Sequence, residues 1–168
     1  MKSKLIFFFI AIILGFTTNA QTKVGTIDSE YVLSKMPQLK TVQERLKNYG
    51  AKLDSIRVNK IKEHDASVNT YNKNIKTLTE DAKKKEFSKI QELKQDIVKF
   101  RQNAVKMMQI RKDEFLRPLY KKIAETTAFV AKEKGYSQIL TTTGNEFAYL
   151  DEKHDITKLV LAKLGIKE

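Results

Sequence analysis

The chain has 168 residues, with 32 lysines and arginines against 20 aspartates and glutamates and a formal net charge of +12. It contains no cysteine, which excludes disulfides, cysteine-ligated metals, a cysteine nucleophile and a lipid-modified cysteine behind a leader. The length suits one domain, and the basic balance favours anionic partners: nucleic acid, anionic lipid or acidic polypeptide.

Residues 1–20 read as a secretory signal peptide. Lys2 and Lys4 form a positive start, residues 5–16 are nearly all apolar, and Thr18-Asn19-Ala20 resembles a small-residue cleavage site. A membrane anchor is the alternative, but the apolar run is about a dozen residues where a span needs about 20. No later segment reads as a span, so the mature chain is expected to be soluble. Without Lys2 and Lys4 its net charge is +10.

Three regions follow: 21–37, 38–134 and 135–168. In the first, Val24-Gly25-Thr26-Ile27 is a short strand candidate. Asp28 or Ser29 then N-caps a turn of helix carrying Tyr31, Val32 and Leu33. Pro37 ends that turn or opens the next helix.

The second region reads as helix. Residues 51–117 contain neither glycine nor proline, the main local breakers. Val42, Leu46, Tyr49, Leu53 and Ile56 step by four and three, a heptad-like seam. Ile61, Val68, Tyr71, Ile75 and Leu78 fit a second register, shifted by one position. Gly50 sits on the first half and reads as a tolerated defect, with a flexible point as the alternative. Thr79, followed by Glu80 and Asp81, is an N-cap with acids suited to a helix start. A second seam then runs through Ile90, Leu93, Ile97, Phe100, Ala104 and Met107. It continues less regularly through Phe115, Leu119, Ile123 and Val130 to about Lys134, with Gly135 as the C-cap. Pro118 is expected to kink this helix. With almost no loop near 76–82, the two helices must form an antiparallel hairpin, its arms roughly 60 and 80 Å long.

The charge excess sits on this hairpin. Region 38–134 holds 24 basic and 13 acidic residues, whereas the other mature residues hold 6 and 7. Lys83, Lys84, Lys85, Lys89, Lys94, Lys99, Arg101, Lys106, Arg111 and Lys112 form the notable cluster, interleaved with Phe87, Phe100, Met107, Met108 and Phe115. Such a run is either a solvated helix face or a surface for a polyanion or an unfolded protein. We take Lys83, Lys84, Lys85, Lys89, Lys94, Arg101, Lys106 and Arg111 as candidate contacts. At helical spacing, the apolar members read more readily as seam than as contact surface.

In the third region, 136–140 reads as a strand, Gly144-Asn145 as a turn and 146–150 as a second strand. Asp155 N-caps a last helix over 156–164, with Gly165 behind it. Closure brings Val24–Ile27 beside 138–140 in a small sheet. A base this small, with no staple, needs oligomerisation to be stable. Val24, Ile27, Ile139, Leu140, Phe147, Tyr149 and Leu150 are the candidate body residues. The fold class is therefore α+β and mostly helical: a long helical hairpin with a small β-rich body.

The sequence holds little that suggests reactive chemistry. His64 and His154 lack zinc-ligand spacing. No nucleophile-elbow, P-loop or dinucleotide fingerprint is present. Asp113-Glu114 and Asp151-Glu152 read as solvated neighbours and not as an acid–base pair. The expectation is no catalytic residue, no metal and no cofactor.

The residues also resemble the Skp/OmpH family of periplasmic chaperones. The likeness is carried by Val24-Gly25-Thr26-Ile27-Asp28, Val32-Leu33 and Met36-Pro37. It continues through the tip Leu78-Thr79-Glu80-Asp81-Ala82-Lys83, Pro118-Leu119-Tyr120-Lys121-Lys122-Ile123, 131–136 and Asp155-Ile156-Thr157. The resemblance implies a homotrimer whose helical arms surround a cavity. It implies an ATP-independent periplasmic holdase for unfolded outer-membrane proteins, and no enzyme. A basic polyanion binder, for nucleic acid or an anionic lipid surface, and a structural coiled-coil envelope protein are the competing readings. No groove-reading motif supports specific nucleic-acid recognition.

Overall fold

The computed structural model describes residues 22–167; the leader expected over 1–20 lies outside them. In chain order the elements are β1 (Val24–Ile27), α1 (Ser29–Lys35), α2 (Gln38–Asn74), α3 (Glu80–Glu133), β2 (Gln138–Thr141), a 3-10 turn (Glu152–His154) and α4 (Thr157–Lys163). The fold is α+β and mostly helical, as the residue pattern implies. Two units are distinguished: Val32–Ala124, and the described residues up to Tyr31 together with those from Glu125 onward.

In the second of these units β1 and β2 pair in parallel, with Gly25 opposite Ile139 and Thr26 opposite Leu140. Thr26 also bridges to Asp155, and the Ile156 amide donates to the Thr26 carbonyl at 2.9 Å. β1 is therefore flanked on both sides. Only glycine fits at position 25, because a Cβ there would lie 2.8 Å from Ile139 Cδ1 and from the Tyr136 ring. Ile27, Val130, Ile156, Val160 and Leu161 are buried.

Local hydrogen bonds set the ends of these elements. Asp28 Oδ1 accepts from the Tyr31 amide at 2.8 Å and caps α1. Asp155 Oδ1 accepts from the Thr157 amide at 2.8 Å and starts α4. The buried Thr157 Oγ1 accepts from the Asp28 amide at 2.9 Å, which ties the two caps together. Gly135 and Gly165, with φ of 68° and 74°, close α3 and α4. In each case the next residue donates back across the helix end, Tyr136 to Ala131 and Ile166 to Leu161.

The expected second strand at 146–150 does not form; 142–151 is irregular. The turn is present, with Gly144 at φ 74°. The Asn145 side chain, however, donates to the Thr141 carbonyl and its amide to that of Thr142. These local bonds replace the first rungs of a hairpin ladder. Phe147, Tyr149 and Leu150 are left exposed off any strand.

The other unit is dominated by an antiparallel pair of helices. Moving outward along α2, Arg45 lies over Phe115, Tyr49 beside Arg111, Gly50 beside Met108, and Lys60 pairs with Asp96. The partners climb on one helix as they descend on the other. α2 ends at Asn74, earlier than the apolar pattern suggests, with the Thr77 and Leu78 amides closing onto the Asn74 carbonyl. Thr79 Oγ1 accepts from the Ala82 amide at 3.3 Å, the expected cap of α3. α3 runs through Pro118 without a break.

The seam differs in detail from the heptad reading. Val42, Leu53, Ile90, Leu119 and Ile123 are buried in it. Ile56 and Met107 are exposed, and Met108 takes the inward place. Beyond Leu53 the second apolar set is partly turned inward: Ile61, Val68 and Tyr71 are half-buried and Ile75 is exposed, while Lys60 and His64 are half-buried as well.

Candidate functional site

The candidate contacts on α3 separate onto different faces. At 100° per residue, Lys94 and Arg101 share one flank with Phe87, Val98, Val105 and Lys112. Lys83 belongs to the same flank but is paired with Glu80 at 2.8 Å. Lys84 stands at its margin. Lys85 and Lys89 lie around the far side of the helix, and Lys106 falls between. Arg111 is a seam residue: its guanidinium lies 5.0 Å from the Tyr49 ring centroid and 5.6 Å from that of Phe115, and it pairs with Glu114 at 2.7 Å.

This flank is unusual in its combination of groups. Phe87 is 53% exposed, Val98 51% and Val105 70%. Between Lys83 and Lys112 it carries no aspartate or glutamate; the carboxylates of that stretch, Glu86, Glu92 and Asp96, project from other faces. Apolar groups, glutamines (Gln91, Gln102, Gln109) and cations therefore alternate along it. Of the interleaved residues, Phe100, Met108 and Phe115 are half-buried and Phe87 and Met107 exposed, so both earlier readings apply to different members.

A hollow of about 310 Å³ opens beside this flank. Gly50, Leu53, Phe100, Ala104 and Met108 line it, with Val105, Arg101 and Arg57 at its lip. Gly50 leaves its wall bare of a side chain, and a Cβ there would reach Met108 Sδ and Cε at 3.9 Å. Its one carboxylate, Asp54, is held by Arg57 at 2.8 Å. Neither helix shows this feature from its own sequence. The available signal was a glycine in mid-helix facing a methionine, which only the pairing register could reveal.

Among the body residues, Ile27 is buried and Ile139 and Leu140 half-buried. Val24, Phe147 and Leu150 are over one-third exposed, and Tyr149 is 80% exposed. No other named strand pairs with the far edge of β2 among the described residues.

The carboxylate neighbours are occupied locally. Asp113 accepts from Gln109, and Glu114 from Arg111. The hydrogen bond from Lys153, supported by its amide and charge, holds the Asp151 carboxyl below the usual aspartate range; the same contact raises Lys153. His64 lies against Asp65. His154 packs edge-on to Tyr136, whose ring face carries Lys23 Nζ at 4.1 Å. Among the described residues no cluster of three or more His, Asp or Glu is arranged to hold a metal, and no helix is long and apolar enough to cross a membrane.

A family described as outer membrane protein (OmpH-like) matches residues 23–164. No curated protein matches the chain by sequence. Among solved structures, a candidate OmpH-like outer membrane chaperone from Caulobacter crescentus CB15 superimposes with a TM-score of 0.66 at 18% identity, over 88% of this chain and 86% of that one. That likeness is one of fold.

Proposed function

The chain belongs to the OmpH-like family, and from that premise we propose that it is an ATP-independent periplasmic chaperone that holds unfolded outer-membrane proteins. The observation that carries this reading is the α3 flank with exposed Phe87, Val98 and Val105 set among Lys94, Arg101 and Lys112. An unfolded barrel strand alternates apolar and polar side chains and aggregates through exposed backbone and apolar faces. A surface mixing weak apolar contacts with unopposed cations can hold such a chain without ordering it. Opposite charge on the client raises the rate of capture.

The working form in this proposal is a homotrimer, in which hairpins from three copies enclose the client. The supporting observations are the two-stranded sheet, too small for independent stability, and the exposed Phe147, Tyr149 and Leu150 in the irregular segment after β2. Domain limits follow the same proposal: a cleaved leader over 1–20, body segments at 21–37 and 135–168, and a hairpin arm over 38–134.

The test combines mass in solution with aggregation of a denatured barrel protein. A species of three chains that abolishes turbidity at about one trimer per client is the expected result. A monomer, or turbidity unchanged across a titration, refutes the reading. The charge excess on 38–134 favours a second reading, polyanion binding. Retention of DNA or anionic vesicles that persists in moderate salt, without effect on the client, would select it.

A further inference from the structure

We propose that the hollow at Gly50 is an anchor pocket that takes one large apolar side chain, best an aromatic, from an extended acidic polypeptide segment lying along the α3 flank. This rests on the holding function above and gives that surface a specific point of attachment.

Size, lining and charge lead to the same occupant. The hollow, at about 310 Å³, lies at the small end of natural ligand sites, roughly 300–1,000 Å³, so it suits a side chain rather than a folded partner. Its floor is apolar and adaptable: Leu53, Phe100, Ala104 and the Met108 thioether. Met108 and Phe100 can pack against an inserted ring, sulfur and edge contacts being favourable. Its lip is cationic. Arg57 is bound to Asp54, whereas Arg101 is exposed and belongs to the carboxylate-free flank with Lys94 and Lys112. A segment that places an aromatic in the hollow would therefore lay flanking carboxylates against Arg101 and Lys94. Its next apolar side chains would meet Val98 and Phe87. A segment with lysines in those places would be repelled.

The probe is a synthetic peptide alternating phenylalanine with aspartate, titrated into the mature chain carrying 13C-methyl methionine. The Met108 methyl signal should shift saturably. Gly50→Leu fills the hollow from within a helix, so helicity and mass should persist, while peptide affinity falls at least about tenfold and the Met108 response disappears. Val105→Asn, a change at an exposed lip position, should weaken binding in the same direction, so the question stays answerable if Gly50→Leu misfolds. Arg101→Gln should flatten the salt dependence, and a lysine-for-aspartate peptide should not bind.

The proposal fails if Gly50→Leu binds as wild type does, or if peptide binds while Met108 stays silent. It also fails if phosphatidylglycerol vesicles, or higher protein concentration alone, move Met108 and the peptide does not. The holding function is decided separately, by wild-type suppression of client aggregation. Suppression with a silent Met108 sinks the pocket alone. No suppression with a responsive Met108 sinks the chaperone reading and leaves a peptide site.

Discussion

Gly25 shows how one missing side chain can determine a sheet. A Cβ added there would lie so close to the Ile139 and Tyr136 side chains that Gly25→Ala must push one or both aside. The Ile139 tip can turn away, but the Tyr136 ring at the same distance cannot move without repacking, so we expect a loss of about 1–3 kcal/mol, read as a lowered thermal midpoint by circular dichroism. Asp28 is a second such point. Its carboxylate receives the Tyr31 amide, and Asp28→Ala should cost about 1 kcal/mol, typical of a lost N-cap. Asp151 supplies a pH marker. Its folded-state carboxyl sits below the ordinary value of 3.8, chiefly through the Lys153 hydrogen bond. The linked stabilisation is therefore complete above that value and lost as pH falls through the lower folded one. An NMR titration should place the Asp151 midpoint below 3.8, and Lys153→Ala should return it toward 3.8.

At the level of elements, Gly50 interrupts helix propensity in the middle of α2. Gly50→Ala should raise stability by about 1 kcal/mol, since the added methyl meets Met108 at an ordinary 3.9 Å. Differential scanning calorimetry would detect the upward shift. Arg111 contributes in the other direction. Arg111→Ala removes its stacking on Tyr49 and Phe115 and should lower the midpoint by the equivalent of about 0.5–1 kcal/mol. The helices themselves were plain in the sequence, because 51–117 lacks breakers and Thr79, Gly135 and Asp155 mark the ends. The strand at Val24–Ile27 was legible for similar local reasons. The strand expected at 146–150 was not, because alternation cannot reveal whether a ladder partner is at hand. The faces of α3 were also hidden. The three-and-four spacing put Met107 in the seam, whereas the actual pairing with Gly50 turns Met108 inward instead. The hollow depends on that pairing, so it could not be read from either helix alone.

For the whole molecule, the proposed trimer makes stability a matter of concentration. The thermal midpoint should rise with protein concentration. The double change Phe147→Ser and Tyr149→Ser should abolish that rise and leave a single-chain mass in light scattering. A final consequence lies in the pairing of Gly25 with Ile139. The two halves of the sheet sit at opposite ends of the chain, with both long helices between them. Synthesis from the N-terminus delivers β1 first and β2 almost last. Closing so wide a loop is slow compared with zipping a hairpin from its turn. The helices should therefore be formed while the sheet is still waiting for its second strand, and in the proposed trimer the joining of sister chains would come last. Any ribosomal or proteolytic loss of the last thirty or so residues would produce a hairpin that can never be closed, however well its helices are made.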